Sequence, residues 1–67
     1  MNLELLREKR RNQKKTQEDM AKAMGYSGKS GYSCLEAGKI KITVEQSVQI
    51  KQILNLSESD YQKIFLA

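Results

Sequence analysis

Residues 16–25 read Thr16-Gln17-Glu18-Asp19-Met20-Ala21-Lys22-Ala23-Met24-Gly25, and this stretch decides the fold. Thr16 is a helix cap, Glu18 and Asp19 suit the positive end of the helix dipole, and Met20, Ala21, Ala23 and Met24 form an apolar stripe at helical spacing. Gly25 sits where a left-handed residue closes a helix, and Gly25-Tyr26-Ser27-Gly28 is rich in turn formers. A third segment, about 29–37, places Tyr32 and Leu35 on one face and stops at Gly38. The stretch therefore predicts two short helices meeting across a tight turn.

Working outward, Asn2 can cap a first helix whose Leu3 and Leu6 share a face, with Glu4, Arg7, Glu8 and Arg11 turned outward. The polar run 12–15 ends it. Thr43 and Gln46 spell a T-x-x-Q capping box for a helix carrying Val44, Val48, Ile50, Ile53 and Leu54 inward, closed by Asn55. Ser57 caps a last short helix with Tyr61, Ile64 and Phe65 on one side. Proline is absent, β-branched alternation is scarce, and no repeat or linker interrupts the pattern. The expectation is an all-α fold, a compact bundle of five short helices forming a single domain over 1–67.

Composition narrows the function. A chain of 67 residues buries only about 60% of its unfolded surface, so its core must be small and regular. The single cysteine, Cys34, excludes an intramolecular disulfide, and the absence of histidine removes the commonest metal ligand and general base, so neither a metal nor a cofactor is expected. Ser30 and Ser33 have no base to activate them, and no close acidic pair appears, which argues against catalysis. No small-molecule ligand is evident. No apolar run approaches the roughly 20 residues of a membrane span, and the charged segment 1–11 is unlike a signal peptide, so a cytoplasmic location is expected. The net charge is +4, with Arg7, Lys9, Arg10, Arg11, Lys14 and Lys15 crowding the first quarter and Glu45, Glu58 and Asp60 in the last third. Such asymmetry suits a polyanion on one side.

These residues carry a resemblance. Segment 16–25, followed by Leu35-Glu36-Ala37-Gly38-Lys39, resembles the T-Q-x-x-[apolar]-A-x-x-[apolar]-G and [apolar]-E-x-G-K motifs of the lambda-repressor-like family, also called Cro-type or XRE-type. Leu6 and Arg10 upstream and Leu54-Asn55-Leu56-Ser57 downstream extend the likeness over nearly the whole chain. It implies a helix-turn-helix in helices two and three, a double-stranded DNA partner, and a transcriptional regulator, most like a Cro-type repressor of a phage or mobile element, in a bacterial or infected cell. It also implies that Arg10 pairs with Glu36. Family members bind two half-sites about one helical turn apart, which implies a homodimer on a palindromic operator. From Gly25 to Gly38 there is one residue more than the commonest spacing, so the turn is longer or helix three starts later. Lys9 and Lys15 stand where an apolar residue is usual, and Lys51 where a small one is common. Their stems would cover the core while the ammonium groups reach water.

The chemistry of individual residues follows. Gln17, opening helix two, can aim its amide at a phosphate beside the helix's free N–H groups. With Tyr32 and Leu35 inward, Lys29, Ser30, Ser33 and Cys34 form the surface that reads bases, and Gly31 would let the backbone approach the duplex. Lys29 can donate to guanine O6 and N7 or instead meet a phosphate. Cys34 can contact a thymine methyl or remain an inert, half-buried thiol. Lys39 and Lys41 together with Arg10, Arg11, Lys14 and Lys15 are expected on phosphates, with the Glu36 pair as the competing role of Arg10, giving about 4 to 6 contacts and a log–log salt slope on the order of −4 to −5. Tyr61, Ile64, Phe65 and Leu66 either form a dimer interface or close the monomer core. A competing reading makes the chain a protein-interaction module, an antirepressor or antitoxin-like partner with secondary DNA contact. It would call for an acidic or apolar recognition face, whereas this one is polar and flanked by lysine.

Overall fold

The computed structural model describes residues 1–66. The chain runs through α1 (Leu3–Asn12), α2 (Gln17–Ala23), α3 (Lys29–Glu36), α4 (Val44–Ile53) and α5 (Glu58–Tyr61), ending in a π-helical turn, Gln62–Leu66. Four of the five helices start on a side-chain cap. The Leu5 N–H donates to Asn2 Oδ1, Thr16 and Asp19 form a reciprocal capping box, Thr43 and Gln46 form a second, and Ser57 accepts from the Asp60 N–H. Only α3 lacks one, because its cap position is Gly28.

The first four helices also end in one common way. After each, a residue with positive φ (Lys14 at 57°, Gly25 at 87°, Gly38 at 77°, Asn55 at 49°) turns the chain back. The next residue's N–H then donates into the last turn, as from Lys15 to Arg10, Tyr26 to Ala21, Lys39 to Cys34 and Leu56 to Lys51. Each is the hydrogen-bond pattern of a glycine-type helix stop. Glycine and asparagine reach that conformation readily, but lysine does not, so Lys14 is a strained residue in a set of four.

The core gathers Leu6, Met20, Ala21, Tyr32, Leu35, Ile50, Leu54, Leu56 and Ile64 around the α2–α3 pair. Leu3, Leu5, Met24, Tyr26, Ile42, Ile53 and Phe65 pack on its margin. Two expectations for α4 are corrected: Val44 is 78% exposed and Val48 40% exposed. The buried stripe runs instead through Ser47, Ile50 and Leu54. At roughly 100° per residue, Val44 and Val48 lie about 90° and 130° around the helix from that stripe. What draws Ser47 inward is a polar partner. Its hydroxyl donates to the Val44 carbonyl at 2.7 Å and meets the Tyr61 hydroxyl at 2.7 Å, which must then be the donor of that pair. Ala23, also expected in the stripe of α2, is exposed.

Lys9 and Lys51, standing at positions of apolar or small type, are matched to the acidic end of the chain. Lys9 pairs with Asp60 at 3.2 Å, while Lys51 pairs with Glu58 at 2.5 Å and lies 5.2 Å from the Tyr61 ring centre. These contacts fasten α5 to α1 and α4. The Asn2 N–H donates to the Ile64 carbonyl at 2.7 Å, bringing the two extremities together.

Candidate nucleic-acid interface

The end of α1, the loop 13–16, the start of α2 and the start of α3 enclose an open cleft of about 800 Å³. Arg7, Arg10, Arg11, Lys14, Lys15, Thr16, Gln17, Glu18 and Lys29 line it. Six of the nine are cationic and one, Glu18, is acidic; Lys22 offsets that acid from 3.5 Å on the next turn of α2. Arg11, Lys14, Lys15 and Lys29 have no ion-pair partner among the described residues. A cluster of uncompensated cations is self-repelling, and an external polyanion relieves the repulsion.

Beneath the cleft, the buried Arg10 side chain spends every nitrogen within the protein. Nε and Nη2 donate to the two carboxylate oxygens of Glu36 at 2.9 Å each, and Nη1 donates to the Lys15 carbonyl at 2.8 Å. The fork therefore joins α1, the α1–α2 loop and the last turn of α3. Arg7 adds a second cation at 3.4 Å from Glu36. Burial alone would raise the Glu36 carboxyl, but the Arg10 hydrogen bonds and charge, aided by Tyr32 and Gln17, hold it below the usual carboxylate range. The same hydrogen bonds raise the Arg10 guanidinium further. Burial, then the adjoining carboxylate, pushes the Tyr32 phenol far up; its hydroxyl is enclosed and makes no well-formed hydrogen bond. Tyr32 is a core residue that reaches no solvent.

Of the phosphate-binding candidates, Arg11, Lys14, Lys15 and Gln17 converge on the cleft, and Lys29 joins them from α3. Lys39 and Lys41 are exposed elsewhere, in the loop after α3, where Lys41 borders an apolar groove with Met1, Leu3, Leu35, Gly38, Ile40 and Ile42. On α3, Lys29 and Ser30 are exposed, and Ser33 and Cys34 are half-buried. Tyr61 and Phe65 are half-buried with rings 5.2 Å apart, Leu66 is 69% exposed, and Ile64 is fully buried. Ile64 therefore belongs to the core of the monomer and to no surface. Gly31 is also corrected. A Cβ there would lie 2.7 Å from Cδ1 of Tyr26, so the space its missing side chain leaves is filled by that ring and not by an approaching duplex.

Residues 6–61 match the family model described as helix-turn-helix. The chain belongs to the helix-turn-helix family of the XRE, lambda-repressor-like type. Its α2 and α3 are the two helices of the motif, and it is a DNA-binding transcriptional regulator. No curated protein and no solved structure matches it significantly. Among the described residues no helix is long and apolar enough to cross a membrane.

Two residues of this helix-turn-helix were given no site role from the sequence: Arg7, counted only within the basic cluster, and Tyr26. Arg7 was readable from spacing, since Arg7 and Arg11 stand at i, i+4 on one side of α1. Tyr26 had a weaker signal: a large ring in the turn, followed five residues later by a glycine inside a helix.

Proposed function

We propose that the protein binds double-stranded DNA sequence-specifically, with α3 in the major groove. The observation that carries this is the convergence of six cations on one cleft whose rim includes the exposed start of α3. Eight residues of helix span about 12 Å, the width of the major groove, so the exposed side chains of α3 can reach base edges while the cleft follows the backbone. Lys29 and Ser30 read bases from the first turn, with Ser33 and Cys34 one turn on. Gln17, Arg11, Lys14 and Lys15 hold phosphates on one side and Lys39 and Lys41 a second stretch. Arg10 contributes no phosphate contact, being committed to Glu36 and Lys15; Arg7 takes its place in the count.

A single module buries too little DNA for high specificity, which favours a homodimer on a palindromic operator. Leu66, with the half-buried Tyr61 and Phe65 beside it, offers an apolar surface for it. A regulator of this kind acts where its DNA lies, in the cytoplasm of a bacterial or phage-infected cell, as a Cro-type repressor that occludes a promoter.

Selection of bound sequences from random duplex DNA at two salt concentrations tests the reading. Enrichment of a palindromic site that is lost in Lys29→Ala or Ser30→Ala, with Gln17→Ala weakening all sites about equally, supports it. Equal retention of all sequences refutes base reading, and absence of binding at low salt refutes DNA as the partner.

A further inference from the structure

The first turn of α3 carries the base-facing side chains, yet it starts on Gly28, which supplies no capping hydrogen bond. Its orientation must be held by something else, and Tyr26 touches three elements at once. Its backbone N–H donates to the Ala21 carbonyl at 2.9 Å, which fixes it to the end of α2. Its ring lies so close to α3 that a Cβ on Gly31 would sit 2.7 Å from Cδ1 and 3.0 Å from both Cγ and Cε1. Its hydroxyl accepts a hydrogen bond from Gln46 Nε2 at 3.0 Å. Gln46 is itself immobilised, because its Oε1 accepts from the Thr43 N–H at 3.0 Å in the capping box of α4.

We propose that Tyr26 is a specificity-determining positioning residue: its ring, wedged against Gly31 and tethered to Gln46, sets the rotation of α3 from which Lys29, Ser30 and Ser33 face the bases. The inference rests on the base-reading role of α3. The turn between α2 and α3 thereby delivers an aromatic wedge. Phosphate contacts from long lysine and arginine side chains tolerate a small rotation of α3, whereas short side chains on base edges do not. Losing the wedge should therefore reduce discrimination between sequences and leave general DNA affinity intact.

The experiment titrates the purified protein against two labelled duplexes, the sequence enriched by selection and a scrambled one, with folding monitored by circular dichroism. Gly31→Ala, which expels the ring, and Tyr26→Ala, which removes it, are each expected to lower the ratio of the two affinities by about tenfold, the discrimination of one base contact. Affinity for the scrambled duplex and the salt slope are expected to stay within about twofold and about one unit of wild type. Combining the two substitutions should cost no more than Tyr26→Ala alone, because the clash needs the ring. Tyr26→Phe, which keeps the ring and loses the Gln46 tether, should fall between, and it remains informative if Tyr26→Ala does not fold. An unchanged ratio in folded Gly31→Ala and Tyr26→Phe overturns the role of Tyr26 alone, as does an equal loss for both duplexes. If wild type itself prefers neither duplex, base reading by α3 is overturned, and this role with it.

Discussion

Truncating Glu36 to alanine should come close to unfolding the protein. The substitution leaves Arg10, a residue only 7% exposed, without the carboxylate that takes two of its guanidinium's three hydrogen bonds at 2.9 Å. Removing one partner of a buried pair costs about 3–5 kcal/mol, most of it the penalty of an uncompensated charge. A domain of 67 residues at about 0.05–0.15 kcal/mol per residue has a total of about 3–10 kcal/mol, so the loss is a large part of the whole. At about 4–8 °C per kcal/mol, Tm should fall by about 12 °C or more. Thermal and urea unfolding followed by circular dichroism measure it, and the decisive control is Arg10→Met combined with Glu36→Leu. Filling the space with apolar groups removes both charges together, so the double variant should recover to within about 2 kcal/mol of wild type. A Glu36→Ala protein within about 1 kcal/mol of wild type, or a double variant as unstable as the single, would refute the view that the fork is a buried, mutually dependent pair.

Lys14→Gly should act with opposite signs on two measurements. It relieves a positive φ of 57° and raises stability by about 1 kcal/mol, while removing one phosphate contact should make the salt slope shallower by about one. Chemical unfolding and salt-dependent DNA titration read the two. Because Glu36 is held below its usual range when folded, its contribution is complete above the unfolded carboxyl value of about 4.3 and drains away as pH falls through the lower folded value. Urea midpoints between neutral pH and pH about 3 should decline in wild type and decline less in Glu36→Gln. Val44→Lys, on the exposed side of α4, should change stability by no more than about 0.5 kcal/mol, whereas Ile50→Ala should cost about 2–5 kcal/mol. Comparable losses in the two variants would restore Val44 to the core.

The helices were legible because their boundaries are written in local chemistry. Thr16, Thr43 and Ser57 are caps whose partners lie three residues on, and Gly25, Gly38 and Asn55 are the residue types that tolerate the stop conformation. Lys14 was missed there because nothing in a lysine announces a positive φ. The α4 face was misread for a related reason: valine looks buried and serine looks exposed, and only the Tyr61 hydroxyl, fourteen residues away in sequence, explains why Ser47 turns inward. The cleft was legible as charge but not as geometry. Basic residues are easily counted, whereas which of them are spent on partners depends on contacts across the fold, such as Lys9 with Asp60 and Lys51 with Glu58; the Arg10–Glu36 pair was legible only through the family resemblance. The role of Gly31 could not be read at all without knowing where the ring of Tyr26 comes to rest.

The hydrogen bond from Asn2 to Ile64 bears on how the domain assembles. The helix that supplies Arg7, Arg10 and Arg11 lies at one end of the sequence order of the domain, yet its cap residue is latched to a carbonyl 62 positions later. A chain that stops short of Ile64 carries the basic face without its latch or the side chain that seals the core beneath it. Closing so long a loop comes at the end of assembly, because its entropy cost is recovered only when the distant contacts form. The electrostatic face is thus tied to the far side of the sequence, and its ordering is coupled to completion of the core that Ile64 seals.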